Sequence, residues 1–281
     1  MRDAIQTGNN TKWRVLSSAS ISGSEYDSSS GVSEASWNMA LDDILYRNLI
    51  DAEEAKPPFL RFYCWERPAI TIGISQNVDR TIVLKNCQQN GINIVRRITG
   101  GRGILHGDDL TFSLGASLTD LGLPILSGIL DIYARISELL ISGFQSIGIA
   151  AEVGGSPTPK AADARGDCFA SATKADIVES ATGRKLLGAA LHKRAGFILM
   201  QGSIPLYSRT PQFSELAELC FIGEGSALPN AAKRGIVAED FQAGTILKLA
   251  TARGVDPIEW AIDEADRVRT LQTASERYET L

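Results

Sequence analysis

One stretch limits the fold more than any other. It is Arg96-Arg97-Ile98-Thr99-Gly100-Gly101-Arg102-Gly103-Ile104-Leu105-His106, followed by Gly107-Asp108-Asp109 and the apolar run Leu110 to Leu114. Ile92, Ile94 and Val95 lead in, and Thr111, Phe112 and Ser113 lead out, so the stretch reads as strand, glycine-rich turn, strand. Glycines let a ligand lie directly on the backbone, where successive N–H groups can point at an anion or a carbonyl. Arg96, Arg97 and Arg102 add planar cationic donors within seven residues. Such a turn suits a carboxylate, a phosphate or a thioester carbonyl. It equally suits a tight hairpin with solvated arginines, and short glycine motifs alone do not separate the two.

The 281 residues are enough for one large domain or two small ones, and 44% hydrophobic content supports a real core. A formal net charge of -5 argues against a general nucleic-acid footprint, leaving the three arginines as the local basic patch. No apolar run is long enough to span a bilayer, and the first residues carry no apolar signal core, so a cytoplasmic protein without membrane association is expected. The four cysteines, Cys64, Cys87, Cys168 and Cys220, form no CxxC pair, and there are two histidines; neither a zinc site nor disulfides are expected.

Along the chain, Trp13 to Leu16 reads as a first strand, and Ser17 to Ser33 as a serine- and glycine-rich loop. Ser33 caps a helix whose apolar face is Trp37, Ala40, Leu41, Ile44, Leu45 and Leu49; Asn38 and Asp42 fall off that face and are expected in solvent. Phe59–Trp65 and Ala69–Ile74 read as a strand pair joined through Glu66-Arg67-Pro68. A helix is expected over 79–90, stopped by Gly91. A long amphipathic helix opens at Pro124, runs through Ile125, Ile129, Ile132 and Ile136, and ends at Gly148. Short strands follow at 150–153 and 175–180, then a turn at Ala181-Thr182-Gly183 and strands from Arg184 and Phe197. From Pro211 the pattern turns helical over 213–221, 238–252 and 257–271, with the last ten residues expected to fray.

Cys168 is the sharpest candidate for chemistry because it sits in the polar, glycine-flanked segment Gly166-Asp167-Cys168-Phe169 rather than in an apolar run. The thiolate is the nucleophile, and a nearby cation is needed to populate it at neutral pH. Lys185, entering a strand after a Gly-Arg turn, supplies that cation if its ammonium returns to Cys168; otherwise it is a solvated edge lysine. His106 alone is more readily a structural hydrogen-bonding group than a base, and Asp108 and Asp109 are turn formers rather than a metal pair.

Together these pieces resemble the lipoate–protein ligase A/octanoyltransferase superfamily. Residues 96–106 resemble its ligand-binding loop, Asn38-Met39-Ala40-Leu41-Asp42 its first-helix motif, and Gly183-Arg184-Lys185 through Gly188-Ala189-Ala190 its acyl-site lysine strand; the likeness runs from about Trp13 to about Leu206. Asp167-Cys168-Phe169-Ala170 is similar to the catalytic cysteine segment of the LipM-type octanoyltransferases. Gly103, Ala189 and Gln201 depart from the alanine, serine and histidine customary there.

The resemblance implies an α+β fold like that of class II aminoacyl-tRNA synthetases and biotin ligases, a mostly antiparallel mixed sheet flanked by helices. It implies a catalytic domain over 13–210, with 211–281 a helical extension on the same body. It further implies that Cys168 takes an octanoyl or lipoyl group from acyl carrier protein as a thioester and passes it to a lysine of a lipoyl domain or glycine-cleavage H protein. Lys185 assists, and the group is held by Arg96, Arg97, Thr99, Gly100, Gly101, Arg102, His106, Gly188, Ala189 and Gly202. The acyl chain is expected between the sheet and Leu105 and Leu187. No metal or cofactor is expected, because amide formation from a thioester is downhill. ATP and Mg enter only under the alternative of an ATP-dependent lipoate ligase; a second alternative is octanoyl amidotransfer between carrier proteins.

Overall fold

A computed structural model describes residues 12–16, 28–30, 32–51, 53–107, 109–154, 176–205, 211–222, 238–253 and 255–279. The strands are β1 (Lys12–Leu16), β2 (Phe59–Tyr63), β3 (Ala69–Ile72), β4 (Asn93–Arg96), β5 (Ile104–His106), β6 (Asp109–Ser117), β7 (Ala151–Val153), β8 (Ile177–Glu179), β9 (Lys185–Arg194), β10 (Phe197–Pro205) and β11 (Asp256–Glu259). The helices are α1 (Glu34–Ile50), α2 (Leu84–Gln89), α3 (Ile129–Ser146), α4 (Pro211–Cys220), α5 (Ala238–Arg253) and α6 (Glu264–Arg277). They build two sheets: a large one in the order β11-β1-β2-β6-β10-β9-β8-β7 and a small one in the order β4-β3-β5. Pairing is antiparallel except at β1–β11, β1–β2 and β3–β4, giving the expected α+β body with a mostly antiparallel mixed sheet.

Period-two alternation decides what each sheet face carries. On the large sheet Leu60, Phe62, Leu110, Phe112, Leu114, Met200 and Ile204 point into the main core, where Ile132, Ile136 and Phe144 of α3 and Phe241 of α5 meet them. The intervening residues Arg61, Tyr63, Thr111, Ser113, Gln201 and Ser203 are buried too, on the other face, where α1 lies. The small sheet turns Ile70, Ile72, Ile94 and Leu105 toward α2 and α4, in a second core with Cys87, Phe213 and Cys220. Its opposite face carries Thr71, Ile104 and His106 toward the polar face of the large sheet. The site lies in that gap.

The structure departs from the sequence expectations at five places. β2 and β3 do not pair with each other; they belong to different sheets, because Glu66-Arg67-Pro68 carries the chain from one to the other. The helix expected over 79–90 is reduced to α2. Asn77 Oδ1 closes a short turn on the Arg80 N–H at 3.1 Å, and Ile82 then forms a β-bridge with Phe221, which pulls the β-branched run Thr81-Ile82-Val83 out of helical geometry. The helix expected from Pro124 starts at Ile129 after a turn, leaving Ile125 65% and Ile129 57% exposed. Pro257 lies in β11 beside Trp13; having no N–H, it suits a strand on the sheet edge. Asp263 then caps α6, its Oδ1 accepting from the Asp266 N–H at 2.7 Å. Finally, the tail does not fray at once. α6 continues to Arg277, Tyr278 is buried, and its carbonyl accepts from the Ser36 hydroxyl.

Candidate active site

The glycine-rich stretch is not a hairpin. β4 and β5 flank β3 on opposite sides, so residues 97–103 cross over the C-terminal end of β3. Gly73, just past that end, lies directly against the crossing. A Cβ on it would stand 2.2 Å from the Gly101 carbonyl oxygen, so only glycine fits. Gly101 itself has φ +86°, a conformation that side-chain-bearing residues avoid.

Two of the three arginines hold this loop from inside. Arg97 is buried and donates from Nη2 to the carbonyls of Gly100 (2.6 Å) and Arg102 (2.8 Å), from Nη1 to the Thr71 carbonyl (3.1 Å) and from Nε to Thr99 Oγ1 (3.1 Å). Arg96 donates from Nη1 to the carbonyls of Gly73, Ile74 and Gln76 at 2.8, 3.1 and 2.7 Å. The expectation of solvated or purely ligand-facing guanidinium groups is therefore corrected for these two. Arg97 ties down carbonyls of the loop and Arg96 those of the 73–76 corner beneath it, and Arg97 also lines the slot below the loop.

That slot has a volume of about 30 Å³. Its walls come from α1 (Met39), the glycine-rich loop (Arg97, Gly101), the small sheet (Thr71, Ile104, His106) and the large sheet (Tyr63, Thr111, Ala189, Ala190, Gln201, Gly202). Leu105 and Leu187 do not line it. Alternation sends Leu105 into the second core, while Leu187 packs into the main core, which corrects the expected acyl path.

Behind the slot runs a continuous buried polar network. Asp42 accepts from Arg61 Nη1 at 2.9 Å, Ser113 Oγ at 2.7 Å, Gln201 Nε2 at 2.7 Å and Tyr63 OH at 3.3 Å. Asn38, one turn earlier on α1, accepts from Arg61 Nη2 at 2.5 Å. Gln201 accepts from Thr99 Oγ1 at 2.8 Å, which joins the helix to the glycine-rich loop. Burial, reinforced by the Asp42 charge, pushes the Tyr63 hydroxyl well above its ordinary pKa, so it stays a neutral donor. Asn38 and Asp42 are thus buried in the network behind the slot and not in solvent. The signal was their i, i+4 spacing on one helix face, opposite an Arg61 that alternates with apolar strand residues. Thr71, Arg61 and Gln201 were likewise not picked out as site residues.

His106 is fixed on three sides. Its Nδ1 lies 2.8 Å from Asp109 Oδ2, its Nε2 lies 2.9 Å from Thr71 Oγ1, and its ring stacks on Trp65 at 4.3 Å. Burial alone would raise the Asp109 pKa. The neighbouring His106 and hydrogen bonds from Ser203 Oγ and the Gly107 N–H outweigh it, holding the carboxyl below the ordinary value.

Lys185 is neither solvated nor on an edge, since β9 lies between β8 and β10. Its ammonium sits 3.1 Å from Asp176 Oδ1, with both side chains buried, and it does not reach the slot walls. Ala189 and Gly202 are register partners in β9 and β10, and Gly188 pairs with Ser203 next to them. Cys168 and Asp108 lie outside the described residues. No described helix is long and apolar enough to cross a membrane.

Residues 34–219 match the lipoyl protein ligase A/B catalytic domain, and the chain belongs to that family. Within the family it is similar to octanoyltransferase LipM of Carboxydothermus hydrogenoformans, at 33% identity over 193 residues; the match covers 68% of this chain but only 64% of that protein's length. Octanoyltransferase LipM of Symbiobacterium thermophilum is 33% identical over 258 residues, covering 89% of this chain and 82% of the relative. Among solved structures, the bipartite lipoate protein ligase of Thermoplasma acidophilum, described with its E2 lipoyl domain, superposes with a TM-score of 0.67 at 17% identity. It covers 95% of this chain and 92% of its own, which shows the shared fold.

Proposed function

We propose that this protein transfers an octanoyl group to a protein lysine in lipoylation, through a thioester on Cys168. The observation that carries the reading is the 33% identity to an octanoyltransferase over 89% of this chain. The slot supports it chemically. Its wall combines apolar Met39, Ile104, Ala189 and Ala190 with polar groups such as Arg97, Thr71 and Gln201, and an acyl chain ending in a carbonyl needs both. At about 30 Å³ it holds a water or two, so an octanoyl chain enters only as the walls part. Met39, unbranched and adaptable, is the wall residue suited to move.

In this reading acyl carrier protein is the donor, and a lipoyl domain or glycine-cleavage H protein is the acceptor. The Cys168 thiolate attacks the donor thioester, and the target amine then attacks the acyl-enzyme. Lys185 supplies the cation for the Cys168 thiolate, Gly188, Ala189 and Gly202 serve the carbonyl, and Thr99, Gly100, Gly101 and Arg102 form the loop that closes over it. No ATP is consumed.

Incubation with octanoyl-acyl carrier protein in the absence of ATP tests this directly. An octanoyl adduct on Cys168, located by peptide mass spectrometry and lost in Cys168→Ala, is the expected result. Acylation of an acceptor lysine only when ATP and free octanoate or lipoate are supplied would replace the transferase with a ligase.

A further inference from the structure

The apolar face of the small sheet is closed by α2 and α4, and these two helices meet through a pair of cysteines. Cys87 on α2 and Cys220, the last residue of α4, are both fully buried in the second core, and both are free. Their side chains hydrogen-bond to each other. That bond and burial push the Cys87 thiol up, while the accepting Cys220 thiol is held below its ordinary value. Backbone contacts on either side pin the two segments together. The Val83 N–H donates to the Cys220 carbonyl at 2.8 Å, the Ile222 N–H to the Thr81 carbonyl at 2.8 Å and Asn86 Nδ2 to the Leu219 carbonyl at 2.6 Å, and Ile82 bridges Phe221. Two sulfurs in contact on backbones held this way need little rearrangement to bond, which is the condition a disulfide sets. Buried cysteines that are mere filler are inert because nothing reaches them. This pair lies just under the surface: Leu219 is 41% and Ile222 40% exposed beside it, and Cys220 ends α4, where a helix frays. α4 also bears on the glycine-rich crossing. A Cβ on Gly103 would stand 2.6 Å from the Phe221 ring, and one on Gly107 would stand 2.7 Å from the Phe213 ring, so the α4 segment supports both ends of β5.

We propose that Cys87 and Cys220 form a reversible disulfide latch that ties α4 to α2 beneath the glycine-rich crossing, with a low-molecular-weight disulfide as the oxidant. The latch stands apart from the transferase reading and uses none of its residues. When the last turn of α4 opens, the Cys220 sulfur attacks one sulfur of the small disulfide. A mixed disulfide forms on Cys220, and the first small thiol leaves with the Cys220 proton. When α4 docks again, the Cys87 sulfur bonds to the Cys220 sulfur, and the second small thiol leaves with the Cys87 proton. Two protein thiols become one disulfide, and the small disulfide becomes two thiols. Excess small thiol runs the sequence backwards. Closed, the latch holds Phe213 and Phe221 against β5 and stiffens the crossing above the slot; open, it leaves the end of α4 free to fray.

A protein carrying Cys64→Ser and Cys168→Ser keeps only Cys87 and Cys220 and isolates the pair. It is incubated in the folded state with oxidised glutathione beside the unaltered protein. Remaining thiols are blocked with N-ethylmaleimide, and peptides are mapped by mass spectrometry with and without dithiothreitol. The expected product in both proteins is a cross-linked pair of peptides holding residues 87 and 220, which separates on reduction. The thermal midpoint of the linked double variant should lie roughly 5–10 °C above that of its reduced form, as for a disulfide closing a long loop. Hydrogen exchange over 97–107 should slow by about tenfold on linking. Adding Cys220→Ala should abolish both effects of the oxidant. Thiols that stay free, a glutathione adduct that never converts to the link, or a link that forms only in urea each overturn the latch. A linked protein whose midpoint fails to rise overturns it too, because the bond then strains the fold instead of holding it.

Discussion

α1 and α3 are of nearly equal length, both centrally placed, and they are stabilised in opposite ways. α3 follows the familiar rule. Ile132, Ile136, Leu139, Leu140 and Phe144 recur at helical spacing and fill the main core, while Arg135 and Glu138 pair at the surface. On α1 every residue from Ala35 to Tyr46 is buried, and among them are Ser36, Asn38, Asp42 and Asp43. Such a helix is held by satisfied polar groups as much as by apolar area, and each buried polar atom raises the penalty for losing its partner.

The widest gap between the two should come from Asp42→Ala, which strands the buried Arg61 guanidinium. Removing one member of a buried ion pair typically costs about 3–5 kcal/mol, so urea unfolding of this variant should shift by that much or reveal no folded state. A loss below about 1 kcal/mol would mean that Arg61 finds another partner and that the network is not a stabilising unit. On α3 the matching deletion is Ile136→Ala, fully buried in the main core. It should cost about 3 kcal/mol through the cavity it leaves, but leave adduct formation on Cys168 intact in whatever protein stays folded.

Acidification should weaken the polar side selectively. Asp109 has a folded pKa below the ordinary carboxylate value. Its contribution is therefore present above about pH 3.9, the unfolded value, and is lost as pH falls through the lower folded one. Asp109→Asn should flatten that part of the acid limb when stability is followed against pH. An acid limb of unchanged steepness would assign it to other carboxylates. The smallest effect belongs to the solvent side of α3: Arg135→Ala breaks an exposed pair at 3.2 Å and should move stability by no more than about 0.5 kcal/mol in the same unfolding assay.

The contrast also explains what the sequence could disclose. Periodicity finds α3, the strands of the large sheet other than β11, and the helices α4 and α5, while the stretch read as one helix over 257–271 divides into β11 and α6. It misjudges α1, since the pattern of Trp37, Leu41 and Leu45 marks one buried face and is silent about a second face buried by polar contacts. The glycine-rich stretch is legible as a turn between two strands, but its path is not. That β3 lies between β4 and β5 depends on pairing between segments more than twenty residues apart. The roles of Arg96 and Arg97 are hidden for the same reason: the carbonyls of Thr71, Gly73, Ile74 and Gln76 come from a neighbouring strand and its end. Thr71 carries no local signal, since a lone polar residue in a strand reads as outward-facing until the opposite surface is known.

The crossover of residues 97–103 above Gly73 has a consequence for anyone wishing to re-engineer specificity. With oxygen and would-be methyl 2.2 Å apart, the two segments form a single interlocked module. Transplanting the arginine–glycine stretch from a cousin enzyme therefore means importing the 73–76 corner with it. A chimera that swaps one without the other puts mismatched halves of a joint together, however well each matches its own parent.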